Sequence, residues 1–374
     1  MTPDGRVRVL HVLDRLDDAS GGGERAALGL ALELPKDRYD VHLCTMRHCG
    51  GAPLAALREA GVTVHVLERG HRFDVAGHLR LLALVHHLHP DVLHAHMYAS
   101  NVPGSLFGRI AGVPVVVAHE QTWDYEGDPL RKVLDAVVGQ LADAFIAVSS
   151  ADARRMARLE RVPGRKIHMF PNAWAPRAEP AVVADLRAAL AIPADAPVVA
   201  ALTVMRPQKR LDVMIAAFRQ VRDRLPAAHL VIGGDGGERR TVEAAIAAEG
   251  LQDAVHLLGF TREIQPLWRA SDLVLLSSDY EGTPLAIAEA MAAGLPVVST
   301  DVGGLPDMTT PDSAILVPRR DPAALADAVV ALLGDEDRRW RMGEAAREQA
   351  ASLTSAAHAE KVAALYEQLL AARG

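Results

Sequence analysis

Short β-branched apolar runs alternate with stretches of helical period along the whole chain. Apolar runs of four to eight residues between turn residues read as buried strands, and repeats at i, i+3 and i+4 read as helices. Strands are expected at 7–13, 41–46, 62–67, 91–96, 114–118, 144–148 and 167–170. Six more are expected at 198–204, 229–233, 254–257, 273–276, 296–299 and 314–317. Helices fall between them, at 24–33 and 211–225 among others, and 355–372 reads as one long terminal helix. Strand–helix alternation implies a parallel sheet with right-handed crossovers and helices on both faces. Seven strands and then six make an α/β protein of two doubly wound units. The stretch 171–197, rich in proline and alanine around one short helix, has linker composition.

Composition agrees. A chain of 374 residues suits about two domains. Half the residues are apolar and 23% are charged, which excludes a disordered or collagen-like chain. The net charge of −7 argues against nucleic acid as a partner. No run reaches the ~18 uncharged apolar residues that a membrane-spanning helix needs. The N-terminus reads as a first strand and not a signal peptide. Cys44 and Cys49 are too few for a disulfide framework, which points to a reducing, cytoplasmic setting. Charge is uneven: residues 1–172 hold 20 basic and 20 acidic side chains, the remainder 20 and 27, and thirteen of the 16 histidines precede residue 173. The first unit is therefore the one that turns cationic on mild acidification.

Ligands of open α/β sheets bind beyond the carboxyl ends of the strands, so the loops that follow strands carry the candidate chemistry. The first holds Gly21, Gly22 and Gly23 before a helix, whose N-terminus favours an anion. Gly21, Gly23 and Ala26 fit G-x-G-x-x-A, but seven residues, Asp14 to Ser20, separate them from the expected strand end. The dinucleotide fingerprint follows its strand directly, so a loop closing over a substrate is the better reading. His94, His96 and His119 stand at or just past strand ends. They do not make a zinc set, because no carboxylate or cysteine completes one. Each reads equally as a hydrogen-bonded structural histidine, and His119, which leads into polar Glu120, Gln121 and Thr122, is the functional candidate.

In the second half, LTVMRPQKRLDVMIAAF places Arg206 and Lys209 between a strand and a helix, an arrangement that suits a diphosphate as well as it suits a solvated basic loop. Gly233–Gly237 and the segment after 257 are further post-strand loops. The most informative segment is SSDYEGTPLAIAEAMAAGLPVVSTDVGG. Glu281 precedes a Gly282-Thr283-Pro284 turn, Pro284 suits the first turn of a helix, and Glu289 follows inside it. A spacing of eight says little among 47 acidic residues. Strand, acid, helix N-terminus and second acid together can bind a phosphate at the N–H groups and sugar hydroxyls at the carboxylates.

These segments, with AHEQTWD, AVSSADARRMARLERVPGRKIHMFPNAW and GDGGERR, make nearly the whole chain resemble a retaining glycosyltransferase of family 4, glycosyl transferases group 1, with the GT-B fold. The resemblance implies two Rossmann-like domains facing across a cleft. These are 1–172, which binds the acceptor and receives the terminal helix 355–374, and 173–354, which binds the nucleotide sugar. It implies that Lys209 neutralises the donor diphosphate. The N–H groups of Thr283, Leu285 and Ala286, around Pro284, cap the β-phosphate after Gly282. Glu281 holds the transferred sugar, Glu289 the ribose, and Phe260, Thr261 and Arg262 meet the base. Gly234 belongs to the donor side, His119 lines the sugar pocket, and Gly22 and Gly23 approach the phosphate. No metal and no cofactor are implied. The chain departs from the family at Val204, where an Arg is usual and whose charge Arg206 takes over. It departs again at Ala173, where Pro-Asn-Gly is usual and a left-handed conformation would cost more.

The donor expected is a UDP- or GDP-sugar, and the acceptor a glycan, lipid-linked or small-molecule hydroxyl. Residues 153–166, with six basic side chains, and the Leu- and His-rich 78–89 are the stretches that offer peripheral contact with the inner membrane face. The alternatives are a sugar-nucleotide 2-epimerase on the same fold, a non-catalytic nucleotide-sugar-binding partner of another transferase, and a dehydrogenase.

Overall fold

The computed structural model describes all residues except 1, 3, 19, 72–73, 122–128, 176–183, 262 and 374, and for 129–132 the backbone alone. The chain divides into two compact units, Met1–Ala175 with Thr354–Gly374, and Pro176–Leu353.

The first unit is built on one parallel sheet of seven strands: β1 (Val7–Leu16), β2 (Tyr39–Cys49), β3 (Thr63–Val66), β4 (Val92–His96), β5 (Val115–His119), β6 (Ala144–Ala147) and β7 (Ile167–Met169). Their order is β3-β2-β1-β4-β5-β6-β7, so the winding reverses between β1 and β4. One face, with Val9, Leu13, Val92, Val115, Val117 and Ile146, packs beneath helices Gly22–Glu33 and Ser355–Ala371. The other, with Leu10, Val12, Leu93, Val116 and Phe145, packs on Leu81 and Val85 of helix Val75–Leu88 and on Val138 of helix Pro129–Leu141. Burial on both faces is why these strands read as continuous apolar runs.

β1 and β2 run three residues further than their apolar pattern. Pairing shifts register between Leu13 and Arg15 and resumes at Arg15–His48 and Leu16–Cys49. The polar residues of this extension have partners of their own: Asp14 accepts from Arg47 and, at 2.6 Å, from Arg69 Nη2. Only Asp17–Ser20 therefore separate the strand from Gly21, fewer than the sequence pattern implies.

The second unit repeats the plan with six parallel strands: β8 (Val198–Leu202), β9 (His229–Gly233), β10 (Val255–Gly259), β11 (Leu273–Leu276), β12 (Val297–Thr300) and β13 (Ala314–Val317). Their order is β10-β9-β8-β11-β12-β13, with the reversal between β8 and β11. Val199, Leu230, Ile232, Leu273, Leu275 and Val298 meet Met214, Phe218 and Val221 of helix Leu211–Arg224 and Leu325 and Val329 of helix Pro322–Leu333.

Two local expectations are corrected. The basic stretch 153–166 is not one helix: helix Ser150–Leu159 stops before Arg161, which is left-handed at φ 54°, and a 3-10 turn Gly164–Lys166 follows. Lys166 Nζ donates to the carbonyls of Gly139, Gln140 and Ala142 at 2.7–3.1 Å, so its charge closes a neighbouring helix. Ala173 is buried and does not adopt a left-handed conformation, so the absence of glycine there carries no strain. Among the described residues, no helix is long and apolar enough to cross a membrane.

The terminal helix is seated by a close approach. A side chain at Gly29 would strike Ser355 Oγ, so helix Gly22–Glu33 meets helix Ser355–Ala371 almost backbone to backbone. Gly29→Leu is expected to destabilise the protein by about 1–3 kcal/mol through overpacking, read as a lower urea midpoint. An unchanged midpoint would contradict this packing.

Candidate active site

The carboxyl ends of β8–β13 share one edge of the second sheet, and the reversal between β8 and β11 leaves two loops diverging there. The loop after β8 passes Thr203, exposed Val204 and Met205 to Arg206, then a 3-10 turn Pro207–Lys209. Arg210 follows in the left-handed region (φ 47°) and starts helix Leu211–Arg224. The loop after β11 runs from Ser277 to Pro284.

An ion pair of two nearly buried side chains joins these two loops. Lys209 Nζ donates to both carboxylate oxygens of Glu281, at 2.6 and 2.8 Å, with 18% and 8% of the side chains exposed. Ser278 Oγ also donates to Glu281 Oε1, at 2.6 Å. Around the pair, Ser277 Oγ donates to the carbonyls of Lys209 and Arg210, and Asp279 N–H to Gln208 O. Arg210 pairs with Asp212 and Asp279, and Arg320 grips Asp279 at 2.8 Å. The Arg320 hydrogen bond, with help from Arg210, holds the Asp279 carboxyl below its usual range. Arg206 is exposed and has no ion-pair partner among the described residues, so it is a cation open to a ligand.

Glycines let the loops close up. At Gly303 (φ 53°) a side chain would run into the Glu281 carbonyl, and Gly304 N–H donates to Gly282 O at 2.8 Å. At Gly234 (φ 110°) it would strike Thr203 O. Thr203 N–H donates to Gly233 O and Met205 N–H to Asp235 O, at 3.0 and 2.9 Å. Gly234 thus braces the Lys209 loop from behind.

Beyond Glu281, Gly282 and Thr283 are buried, and Pro284 lies outside the first helical turn, at the N-cap of helix Leu285–Ala292, with ψ 109°. The N-cap residue itself makes no side-chain capping hydrogen bond. The helix start carries the partial positive charge of a helix N-terminus beside the Lys209–Glu281 pair. Glu289 is buried in it at 6% exposure. At the end of β10, Phe260 is 65% exposed, an aromatic face fit to stack on a base, and Thr261 Oγ1 donates to Glu263 O. Arg262 lies outside the described residues.

In the first unit His119 closes β5, and Asn101 clamps its backbone, donating to His119 O and accepting from its N–H, both at 3.3 Å. The Gln121 amide donates to His119 Nε2 at 3.1 Å, which leaves the ring proton on Nδ1. Gly23 abuts Gln121 and Met97, where a side chain would fit only tightly, while Gly22 is exposed at the helix start. His119 is 1% exposed, so it offers a ligand no surface while that packing holds.

His119 belongs to a buried histidine cluster. Register places His11 beside His94, and His96 beside His119, on the face beneath the terminal helix. His11 Nδ1 and His96 Nε2 are 2.9 Å apart, and His94 Nδ1 lies 2.5 Å from Tyr366 Oη. His358 stacks 6.0 Å from His119. Candidate ligand nitrogens of His11, His94 and His96 lie within 4.8 Å of one another. The rings of His94 and His96 are stacked at 4.1 Å and 21°, so their in-plane lone pairs run alongside each other and do not converge as metal ligands must.

Burial keeps these rings neutral. It pushes His11 down to about 3 and His358 to about 4, and holds His94, His96 and His119 well below the ordinary value. Neighbouring cations and histidines add to the effect. An unfolded chain takes protons up near pH 6.5, before the folded one. The stabilisation is therefore complete above about pH 6.5 and is lost as the pH falls below it. The loss reaches roughly 2 kcal/mol per histidine by pH 5. The urea midpoint is expected to fall steeply between pH 6.5 and 5. A flat midpoint would contradict the neutral cluster.

Comparison with known proteins adds the family. Residues 182–349 match the glycosyl transferases group 1, and residues 20–174 match glycosyltransferase family 4. The D-inositol 3-phosphate glycosyltransferase of Salinispora tropica is 32% identical over 377 residues, covering 92% of this chain and 76% of that protein. The enzyme of the same name from Thermobispora bispora is 29% identical over 408 residues, covering 98% and 95%. The structure of Anabaena HepE in complex with UDP and glucose superposes with a TM-score of 0.83 at 20% identity, covering 97% of this chain and 100% of that one, a likeness of fold.

Proposed function

The chain belongs to the family 4 glycosyltransferases, glycosyl transferases group 1, and from that premise we propose a metal-independent enzyme that moves a sugar from a nucleoside diphosphate sugar to a hydroxyl acceptor with retention of configuration. UDP is the favoured nucleotide, as in the Anabaena protein's complex, with GDP second. The observation that carries the reading is the meeting of Lys209, Glu281 and the start of helix Leu285–Ala292 at the switch point of the second sheet.

The donor lies along the carboxyl edge of that unit. Phe260 stacks on the base and Glu289 takes the ribose hydroxyls. Lys209, Arg206 and the N–H groups at the start of helix Leu285–Ala292 face the diphosphate, where negative charge grows as the bond from the anomeric carbon to the phosphate oxygen breaks. Glu281 accepts from hydroxyls of the sugar. The acceptor hydroxyl attacks from the leaving-group side, and its proton passes to the departing phosphate oxygen. The products are a glycoside of unchanged anomeric configuration and a nucleoside diphosphate, with no side chain needed as general base. Fixed cations and a helix end supply the charge stabilisation that a divalent ion would otherwise give. The first unit is assigned to the acceptor, a glycan, glycolipid or small molecule.

Incubation with UDP-, GDP-, ADP- and dTDP-sugars, assayed for free nucleoside diphosphate, is expected to give release from one donor. Lys209→Ala and Glu281→Ala should each lower it by about 10²-fold or more. Full turnover in both variants, or no donor bound by the wild type, would contradict the site. A chelator should leave the rate unchanged. Loss restored by magnesium or manganese would contradict the metal-free mechanism.

A further inference from the structure

Four helices cover one face of the first sheet: Val75–Leu88, Tyr98–Ile110, Pro129–Leu141 and Ser150–Leu159. Their inner sides pack on that face through Val85, Phe107, Val138 and Met156. Their outer sides therefore look the same way. Exposed aliphatic side chains are ordinary singly and informative when grouped. The first three helices each expose a pair of them one turn apart: Val75 with Leu79, Leu106 with Ile110, and Val133 with Val137, at 42 to 69% exposure. The fourth carries Arg154 and Arg158 at the same spacing beside exposed Leu159, and Arg161 and Arg165 follow it. These four arginines are exposed, and none has an ion-pair partner among the described residues.

Charge decides what such a layer fits. The four helices hold seven basic residues and two acidic ones, Asp135 and Asp152, both buried. Arg80, Arg109 and Arg155 are held by Asp74, Asp143 and Asp152, which leaves the arginines at and after the fourth helix to meet an anion. The opposite layer, helices Gly22–Glu33, Gly51–Glu59 and Ser355–Ala371, holds three basic and five acidic residues. Among its described residues no large hydrophobic side chain is exposed. One sheet thus has an ordinary water-facing layer on one side and, on the other, a layer that is apolar, basic and free of exposed acid. We propose that this second layer is a docking surface for an anionic lipid bilayer. The aliphatic pairs enter the boundary between headgroups and acyl chains, and the guanidinium groups stay at the level of the lipid phosphates. Spread over three helices, the apolar side chains suit a broad, deformable surface, whereas a peptide or helix partner wants them gathered in one groove. The contact is interfacial, because no described helix is long and apolar enough to cross. The proposal does not depend on the donor reading.

The test is flotation of the full chain with vesicles of phosphatidylcholine alone and of equal parts phosphatidylcholine and phosphatidylglycerol. Wild type is expected to float with the second and not with the first, and to be released as salt is raised. Arg154→Gln, Arg158→Gln, Arg161→Gln and Arg165→Gln combined should bind at least about tenfold more weakly. Leu79→Ser, Ile110→Ser and Val137→Ser combined should also lose about tenfold, as apolar insertion is removed. Circular dichroism checks the fold of both. Lys361→Gln, on the opposite layer, should bind as wild type does. A wild type that floats with neither vesicle, or with both alike, overturns the proposal, as do combined variants that float as well as wild type. A wild-type dimer in sedimentation that the serine variant converts to a monomer would assign the layer to a second copy of the chain and overturn it too.

Discussion

An ammonium and a carboxylate from opposite sides of a sheet's reversal meet in one ion pair, and the edge of the second unit is arranged around it. Lys209 arrives on the loop after β8, Glu281 on the loop after β11, and the strands that carry them are neighbours only because the winding reverses there. Neither loop is left to its own conformation. Ser277 holds the carbonyls of Lys209 and Arg210, Gly303 yields its side-chain space to Glu281, and Gly234 yields its own to Thr203. Two partly buried charges need this support, because a pair taken out of water is tolerated only when its geometry and its remaining hydrogen bonds are good. Charged groups are thereby fixed before any ligand arrives, as preorganised electrostatic stabilisation requires.

The first unit shows the same topology used differently. Its reversal lies between β1 and β4, and the strands there carry histidines where the second unit carries aliphatic side chains. Covering them with helix Ser355–Ala371 places Tyr366 and His358 on the cluster and leaves a polar yet uncharged patch within an otherwise apolar face. Its stability therefore depends on imidazoles staying neutral, while the second unit carries a formal ion pair at its sheet edge. The expectation that histidine in the first half makes this unit cationic on mild acidification fails for the cluster, because burial keeps these rings neutral while the unit is folded.

All thirteen strands were legible because strands buried on both faces leave unbroken apolar runs. The pattern failed where polar residues extend a strand: Asp14 and Arg15 in β1, Arg47 and His48 in β2. There pairing continues beyond the core and the side chains find ionic partners, which periodicity does not register. At the site, Lys209 and Glu281 stood out by residue type and position after a strand, but their pairing across 72 residues did not. Ser278 gave a faint signal, three residues before an acid. Asn101 gave none, because its role is to bind the backbone of a strand 18 residues on. His11, His358 and Tyr366 join the histidine cluster through register and through the packing of the terminal helix, both of which follow from topology and not from local sequence. Pro284 was placed one position too far into its helix, an error within the usual uncertainty of helix ends.

In the proposed reaction Lys209 and Glu281 act on the donor as one unit and not as two separate contacts. A double-mutant cycle on UDP-glucose affinity, with Lys209→Met, Glu281→Gln and the two combined, measures this directly. The account predicts strong non-additivity, a coupling of about 0.5–3 kcal/mol, because each substitution alone leaves the other charge without its partner. Effects that simply add would show two independent residues and contradict the account.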